Sequence, residues 1–531
     1  MAQEAKVEAR TEIRDGMKIT WHQEIKTSDG LVLRADVFAP IKDGKYPAIL
    51  TYGVYGKGVS YQEGYPHQWN KMVEDYPEIL EGSTNKYQNW EVTDPERWIP
   101  DGYVVIRVDS RGAGWSPGLM DCNSPRETQD LYECIEWAGT QPWSNGKVGM
   151  LGISYYASNQ WRVAAMHPPH LAAIIPWEGQ NDRYRDSGYH GGILSEFQKL
   201  WAKHQVVMIQ YGKAGARKNP VTGESVTGPV ELSEAELEKN RLNTFESLKA
   251  HPLCDEWHRS QTPDLSDVQM PFLSAANWGG QGIHPRGNFN AFVEGGSKQK
   301  WLEAHGDSHW SLFSSGYGVS LQKKFFDHFL KGIDNGWEKT PPVTLNVRHP
   351  GPKFVQRHEN EWPIARTQWT KFYLDLGNKT LSPTPVTSEG KLEYAAMGDG
   401  VRFMSAPMEK DTEITGPMAA KLFASSSTED ADLFLIVQVF DPDGKELTFM
   451  GSTDPHTPIA NGWLRMSHRA LDPKKSKPYR PFHPHDKVEP LTPGQVYEGD
   501  VEIVTTSIVV PKGWRFALWV RGKDYEYTGE P

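Results

Sequence analysis

Residues 147–157 have the sequence KVGMLGISYYA, and this stretch decides the fold. Its first half is apolar without interruption, as in a strand buried on both faces of a parallel sheet. A Gly-x-Ser turn follows at Ser154, and helical spacing continues to about residue 166. This order of strand, tight turn and helix is the one that raises a serine hydroxyl above the end of a sheet. Tyr156 departs from the strict Gly-x-Ser-x-Gly pattern, and a serine that only caps a helix is the common alternative.

The segments on either side of this stretch predict an α/β core. Residues 17–40 have the pattern of paired strands around an Asp-Gly turn. Predicted strands lie at 46–52, 103–108, 171–175, 271–276 and 300–304, and predicted helices at 126–138, 154–166 and 319–331. Strands that alternate with helices indicate a mostly parallel sheet.

The order of these patterns predicts a core that is split by an insertion and followed by a second domain. Residues 1–182 and 266–335 form the two parts of the α/β-hydrolase-type core. Residues 183–265 show helical spacing with no apolar strand, including one charged helix at 232–250, and predict a helical cap. After Pro341-Pro342, short alternating strands predict an all-β, jelly-roll-like sandwich over 340–531.

Composition narrows the functional classes. The 531 residues carry a net charge of −11, which argues against nucleic-acid binding and against anionic membranes. No apolar run is long enough to span a bilayer, and the first residues lack the apolar region of a signal peptide. Three cysteines at 122, 134 and 254 fit neither a disulfide framework nor a zinc motif. We therefore expect a cytoplasmic enzyme or binding protein, with inert thiols.

A nucleophilic serine needs a histidine base, which in α/β-hydrolases follows the last core strand. The sequence KWLEAHGDSHW at 300–310 offers two histidines at that place. His309 lies past the strand end and is the predicted base, whereas His305 lies nearer the strand and is predicted to be structural. His167, His170 and His284 are predicted to lie on helix ends or loops, mostly in contact with solvent.

Several motifs together resemble the CocE/NonD group, the cocaine esterase and X-prolyl dipeptidyl aminopeptidase hydrolases. They are DSRGAGWSPG at 109–118, QPW at 141–143, GKVGM at 146–150, GISY at 152–155, DRYR at 182–185 and FFDHFLKG at 325–332. The resemblance covers essentially the whole chain in the order core, cap and C-terminal sandwich. It implies a serine hydrolase of the peptidase S15 type, with Ser154 as nucleophile and His309 as base.

The resemblance also implies an oxyanion hole with two donors. One is the backbone N–H of Tyr155, directly after the nucleophile, and the other is a tyrosine hydroxyl after an early strand. Tyr55 matches that position, with Tyr52 as its nearest rival. A phenol placed there can stabilise the developing negative charge of a tetrahedral intermediate. The alternative for Tyr55 is one more packed aromatic ring.

The acid of the triad is where the sequence departs from the family. An aspartate is expected shortly after Trp278, but residues 277–282 read NWGGQG and contain no carboxylate. Glu178, at the end of the strand after the elbow, is the first choice, although it could be a pocket or structural carboxylate. Asp182 is the runner-up, and Asp307 is too close to His309 in sequence to orient its ring.

The predicted activity is cleavage of a small acyl ester, an amide or an X-Pro peptide through an acyl-enzyme intermediate. Candidate substrate-binding residues are Asp182, Asp186, Trp177 and Trp278. No cofactor is expected, and no cluster has metal-ligand spacing. A homo-oligomer is compatible with the sequence. The second hypothesis is a catalytically degenerate core that carries a ligand- or carbohydrate-binding sandwich, with the missing aspartate as its symptom.

Overall fold

The computed structural model describes residues 7–351, 353–452 and 454–529. The expectation about a signal peptide concerns residues 1–6, which lie outside the described residues. The strands of the N-terminal part are β1 Arg10–Arg14, β2 Met17–Lys26, β3 Val32–Pro40, β4 Tyr46–Gly53, β5 Val104–Asp109, β6 Ser144–Ile153, β7 Leu171–Trp177, β8 Tyr189–His190, β9 Ile193–Leu194, β10 Phe272–Asn277 and β11 Lys300–His305. The helices are α1 Tyr61–Gly64, α2 Pro66–Asp75, α3 Pro95–Trp98, α4 Pro125–Gly139, α5 Tyr155–Ala164, α6 Phe197–Trp201, α7 Glu234–Lys239, α8 Thr244–Ala250, α9 Glu256–Arg259, α10 Pro285–Glu294, α11 Ser311–Ser314 and α12 Gly316–Lys331.

The large sheet has the order β1-β2-β3-β5-β4-β6-β7-β10-β11. Pairing is antiparallel up to β3–β5 and parallel from β5 onward. The parallel strands are buried along nearly their whole length, because helices cover both faces. The predicted α/β core is therefore confirmed.

Alternate residues of each strand supply the two faces of the sheet. Met150 and Ile174 pack with apolar residues of α4, α5 and α10 on one face. Leu151 and Ile175 pack with Phe325 and other residues of α12 on the opposite face. These two layers hold β6 and β7 rigidly, and both strands end at the same edge of the sheet.

The insertion at 183–265 differs in detail from the expectation. A two-stranded antiparallel ribbon, β8 and β9, lies inside it, where the sequence predicted no strand. The charged helix expected at 232–250 is two helices, α7 and α8. The break follows from backbone hydrogen bonds of Met120 with Asn240 and Leu242, and Asn243 caps the second helix.

The C-terminal part is built from strands β12 to β22 around its own apolar core. They are β12 Val343–His349, β13 Lys353–Glu359, β14 Tyr373–Asp375, β15 Thr380–Ser382, β16 Val401–Ser405, β17 Thr412–Ala424, β18 Asp432–Phe440, β19 Glu446–Leu447, β20 Ala460–Arg465, β21 Tyr497–Val510 and β22 Arg515–Arg521. Most pairs are antiparallel, such as β17–β21 and β18–β22. Strand β12, however, also pairs in parallel with β11, so the two parts share backbone hydrogen bonds.

Two further expectations concern thiols and membranes. Cys122, Cys134 and Cys254 are free and buried, in accord with inert thiols. Within the described ranges, no helix combines the length and the apolar character needed to cross a membrane.

Candidate active site

The polar centre of the molecule lies where the parallel strands end. Ser154 follows β6, Glu178 follows β7, His284 lies between β10 and α10, and His309 follows β11. Neighbouring parallel strands bring their carboxyl ends to one edge of a sheet, which is where ligands bind in such folds. The four side chains come together for this reason, although they are distant in sequence.

Ser154 occupies a sharp turn between strand and helix. Its φ of 58° and ψ of −109° are unusual for a residue with a side chain, and such a conformation costs about 1–3 kcal/mol. The backbone N–H of Ser154 donates to the carbonyl of Trp177 at 3.1 Å. A Cβ at Gly152 would lie 2.4 Å from the Cβ of Tyr156, so only glycine fits below the turn. This is the geometry of a nucleophile elbow.

His284 is the histidine that contacts the serine. Its Nε2 lies 3.1 Å from Ser154 Oγ, and only 3% of the residue is exposed. This differs from two expectations, because most of the group His167, His170 and His284 were predicted to be solvated and His309 was predicted to be the base of the serine. The physical reason is that the loop after β10 turns inward before Pro285 opens α10, which carries His284 over the elbow.

His309 lies behind His284 instead of beside Ser154. The two imidazole rings are parallel, with centroids 5.0 Å apart and an interplanar angle of 4°. His309 Nδ1 lies 2.5 Å from Glu178 Oε2, and its Nε2 lies 3.2 Å from Glu91 Oε1. Both ring nitrogens are therefore held by carboxylates.

Glu178 is the carboxylate at the centre of the cluster. It is fully buried, and its Oε1 accepts hydrogen bonds from His305 Nε2 at 3.1 Å and Asn277 Nδ2 at 3.2 Å. His305 is bound in turn by Glu303, 2.6 Å from its Nδ1. The predicted acid thus lies within hydrogen-bond reach of His309. Its other carboxylate oxygen is bound by His305.

The charges of the cluster follow from these contacts. Burial alone would raise the pKa of Glu178, but His309 and His305 hold it below its ordinary value. Burial would lower the pKa of His309, but Glu178 and Glu91 raise it to about 10. Burial and the neighbouring charge of His309 lower the pKa of His284 to about 3. These directions favour the charged form of His309 and the uncharged form of His284.

Sequence reasoning missed Glu91 and the contact of His284 with Ser154. Glu91 lies in a segment without regular secondary structure and has a φ of 60°, so no periodic pattern marks it. Its carbonyl accepts from the N–H of Ile153 at 3.0 Å, which fixes it beside the elbow. His284 carried a weak signal, because it follows the strand end that lacks the expected aspartate.

The proposed oxyanion donors belong to two residues whose rings are in contact, Tyr55 and Tyr155. Tyr155 begins α5, and the N–H groups of a first helical turn have no acceptor within the helix. The ring of Tyr55 stands edge-on to that of Tyr155 at 6.0 Å, and its hydroxyl accepts from Trp201 Nε1 at 2.9 Å. Burial keeps the pKa of Tyr55 well above 10, so the phenol retains its proton. The rival Tyr52 instead accepts from the backbone N–H of Arg111 at 3.4 Å, within the opposite layer.

The predicted substrate-binding tryptophans belong to the core. Trp177 is fully buried and packs against His305 and Phe313. Trp278 is 1% exposed, stacks on Phe289 and donates to the carbonyl of Asn346 at 3.0 Å. Neither ring has a surface open to a substrate, because each fills space between core strands and helices.

The predicted substrate-binding aspartates are paired with arginines. Asp182 lies 2.7 Å from Arg185 Nη1, and Asp186 lies 3.0 Å from Arg286 Nη1. Asp186 and Arg286 also line a cavity of about 330 Å³ between α10 and the C-terminal strands. The residues that line this cavity do not include Ser154.

One group of side chains has the composition of a metal site. Glu178, His284 and His309 each place one nitrogen or oxygen atom within 4.8 Å of the others. Sequence spacing predicted no such cluster, because three different strand ends contribute to it.

Comparison with family models decides the family. Residues 29–310 match the model of the X-Pro dipeptidyl-peptidase (S15 family), and residues 335–531 match its C-terminal non-catalytic domain. The chain belongs to the X-Pro dipeptidyl-peptidase S15 family. The members of this family are hydrolases, and the resemblance that the motifs suggested is confirmed.

Individual relatives agree with this family. The chain is 25% identical to the cocaine esterase of Rhodococcus sp. (strain MB1 Bresler), over 94% of this chain and 89% of the relative. A crystal structure of a CocE/NonD family hydrolase from Staphylococcus aureus matches with a TM-score of 0.86 and 31% identity, over 99% of this chain and 90% of that one. An α-amino acid ester hydrolase shares the fold, with a TM-score of 0.67 and 16% identity over 99% and 92% of the two chains.

Proposed function

We propose that this protein is a serine hydrolase that cleaves a small acyl ester or amide through an acyl-enzyme intermediate. The observation that carries the proposal is the contact between Ser154 Oγ and the buried imidazole of His284 at 3.1 Å, at a strand-to-helix turn. A serine becomes nucleophilic when an adjacent base can take its proton.

The reaction proceeds in two halves. Ser154 Oγ attacks the carbonyl carbon while the histidine in contact with this oxygen takes the hydroxyl proton. The N–H of Tyr155 and the hydroxyl of Tyr55 stabilise the oxyanion. The histidine then protonates the leaving alcohol or amine. Water then attacks the acyl-enzyme in the same way, with the histidine as base, and the acid is released. In both halves Glu178 is the anionic partner of the imidazolium.

The insertion supports the acyl-binding side of this site. Trp201 of α6 donates to Tyr55 and stacks on Tyr155, with ring centroids 5.7 Å apart. We therefore propose that residues 183–265 act as a cap over the elbow, and that residues 340–531 form the jelly-roll-like domain expected from the sequence.

An uncharged ester is the favoured substrate class within the proposal. A dipeptidyl-peptidase must bind the α-ammonium of its substrate, and the predicted candidates for that contact were Asp182 and Asp186. Arginines already neutralise both. The other substrate classes are amides and X-Pro peptides, and the family is described by its activity on X-Pro dipeptides.

Covalent labelling tests the proposal. A fluorophosphonate probe should label the wild-type protein at Ser154, and the matched variant Ser154→Ala should not be labelled. A parallel panel of p-nitrophenyl esters, acyl amides and X-Pro anilides should show the fastest turnover with esters. Absence of labelling and turnover in the folded protein would favour the degenerate core with a binding function.

A further inference from the structure

We propose that His284 is the base that takes the proton of Ser154, and that His309 is a positioning residue. This role presupposes the proposed serine hydrolysis and names its proton acceptor. It also departs from the sequence expectation, in which His309 is the base.

The contact between Ser154 and His284 meets the first requirement of a base, which is hydrogen-bond reach of the proton it takes. Ser154 Oγ and His284 Nε2 are 3.1 Å apart. His284 is buried, so bulk water does not compete for this nitrogen. No rearrangement is needed before the proton moves.

His309 lacks a free nitrogen for the same task. Its Nδ1 binds Glu178 and its Nε2 pairs with Glu91. An imidazole that donates from both nitrogens has no lone pair to accept a proton. His309 would have to leave Glu91 and move past the parallel ring of His284 to reach the serine.

The second ring nitrogen of His284, Nδ1, faces the carboxylate of Glu178. A histidine base requires such an anion to stabilise its imidazolium. His284 Nδ1 is buried, has no hydrogen-bond partner among the described residues, and lies 3.9 Å from Glu178 Oε2. A movement of about 1 Å brings it into hydrogen-bond reach. When the serine proton arrives at Nε2, Nδ1–H can donate to Glu178, which His309, His305 and Asn277 hold in place.

Paired glutamine variants test these roles. With p-nitrophenyl acetate, His284→Gln should lower kcat by about 10⁴-fold with little change in KM. His309→Gln keeps an N–H donor for Glu178, so we expect a loss in kcat of less than about 10²-fold. Thermal melting of both variants checks that each one is folded.

Chemical rescue separates a base from a structural residue. Added imidazole should restore part of the activity of His284→Ala, because it can occupy the space next to Ser154. The matched variant His309→Ala should not respond, since its space adjoins two carboxylates. Rescue of His309→Ala alone, or full activity of His284→Gln, would overturn the assignment.

Two further results distinguish the possible failures. If Ser154→Ala remains active, the proposed function itself is wrong. If Ser154→Ala is inactive while His309→Gln is inactive and His284→Gln is active, only the assignment of the base is wrong. A stoichiometric metal ion whose removal by EDTA abolishes activity would also overturn the assignment, because His284 Nδ1 would then be a ligand.

Discussion

The substitution Glu178→Gln tests the centre of the site most directly. It keeps the size of the side chain but removes the negative charge that His309 and His305 share. The loss of the carboxylate partner in a serine triad lowers kcat by about 10⁴-fold. At 1.36 kcal/mol for each factor of ten, this corresponds to about 5.4 kcal/mol of transition-state stabilisation.

The same substitution should also destabilise the folded protein. Glu178 is fully buried, and removing one partner of a buried ion pair costs about 3–5 kcal/mol, since the remaining charge is uncompensated. Because Glu303 and Glu91 still face His305 and His309, we expect the lower end of this range. Unfolding by denaturant measures this loss in the free energy of unfolding separately from the loss of activity.

The control for this experiment is Glu303→Gln. Glu303 binds His305 at 2.6 Å but is not a partner of His309 or His284 in the described structure. The Glu303→Gln substitution should therefore lower the free energy of unfolding without a comparable loss of kcat. The assay is steady-state hydrolysis of p-nitrophenyl acetate at pH 7 on folded variants. A kcat for Glu178→Gln within tenfold of wild type, or an equal loss in Glu303→Gln, would refute the reasoning.

Three further predictions concern the nucleophile, the oxyanion donor and pH. Ser154→Ala should stay folded and lose about 10⁶-fold in kcat; more than a tenth of wild-type turnover would contradict the elbow assignment. Tyr55→Phe should lower kcat by about 10²–10³-fold with little effect on KM, and an unchanged kcat would leave the role to backbone N–H groups. The imidazolium of His309 persists until its raised pKa of about 10, while His284 stays neutral down to about 3. Activity should therefore show no loss near pH 6.5 and should fall by less than about 10²-fold as the pH rises through 10, whereas a fall below pH 6.5 would indicate an ordinary histidine base. Since the pKa of His309 is higher in the folded than in the unfolded state, its contribution to stability is complete below about 6.5 and disappears as the pH rises through 10.

The parts of the molecule that depend on local pattern could be predicted from the sequence. Buried strands and the turn at Ser154 have continuous apolar runs and short-range glycine requirements, and both predictions match the structure. Glu178 was predicted to lie near His309 because parallel strands end at one edge. The prediction of one helix at 232–250 was wrong, because backbone hydrogen bonds to Met120, a distant residue, interrupt the helix at Asn240 and Leu242.

The contacts of the histidines could not be predicted, because they depend on how three separate loops pack. His284 and His309 follow different strands, and nothing in their spacing says which one reaches the serine. In the structure Glu91 pairs with His309 while His284 contacts Ser154, and the segment of Glu91 carries no secondary-structure pattern. Sequence therefore limited the choice to a few residues at one edge of the sheet, and packing assigned their contacts.

The absence of a carboxylate directly after Trp278 agrees with the packing of the C-terminal domain against this loop. A Cβ at Gly279 would lie 2.6 Å from Gly451 Cα, and one at Gly280 would lie 3.1 Å from Ser452 Oγ. The loop of the C-terminal domain thus occupies the space after β10, next to the place where the sequence comparison led us to expect an aspartate. Glu178 follows the neighbouring strand, and its backbone N–H donates to Ala275 of β10 at 2.7 Å. Because β7 and β10 end side by side, Glu178 lies within hydrogen-bond reach of His309, although it follows a different strand from the one where the aspartate was expected.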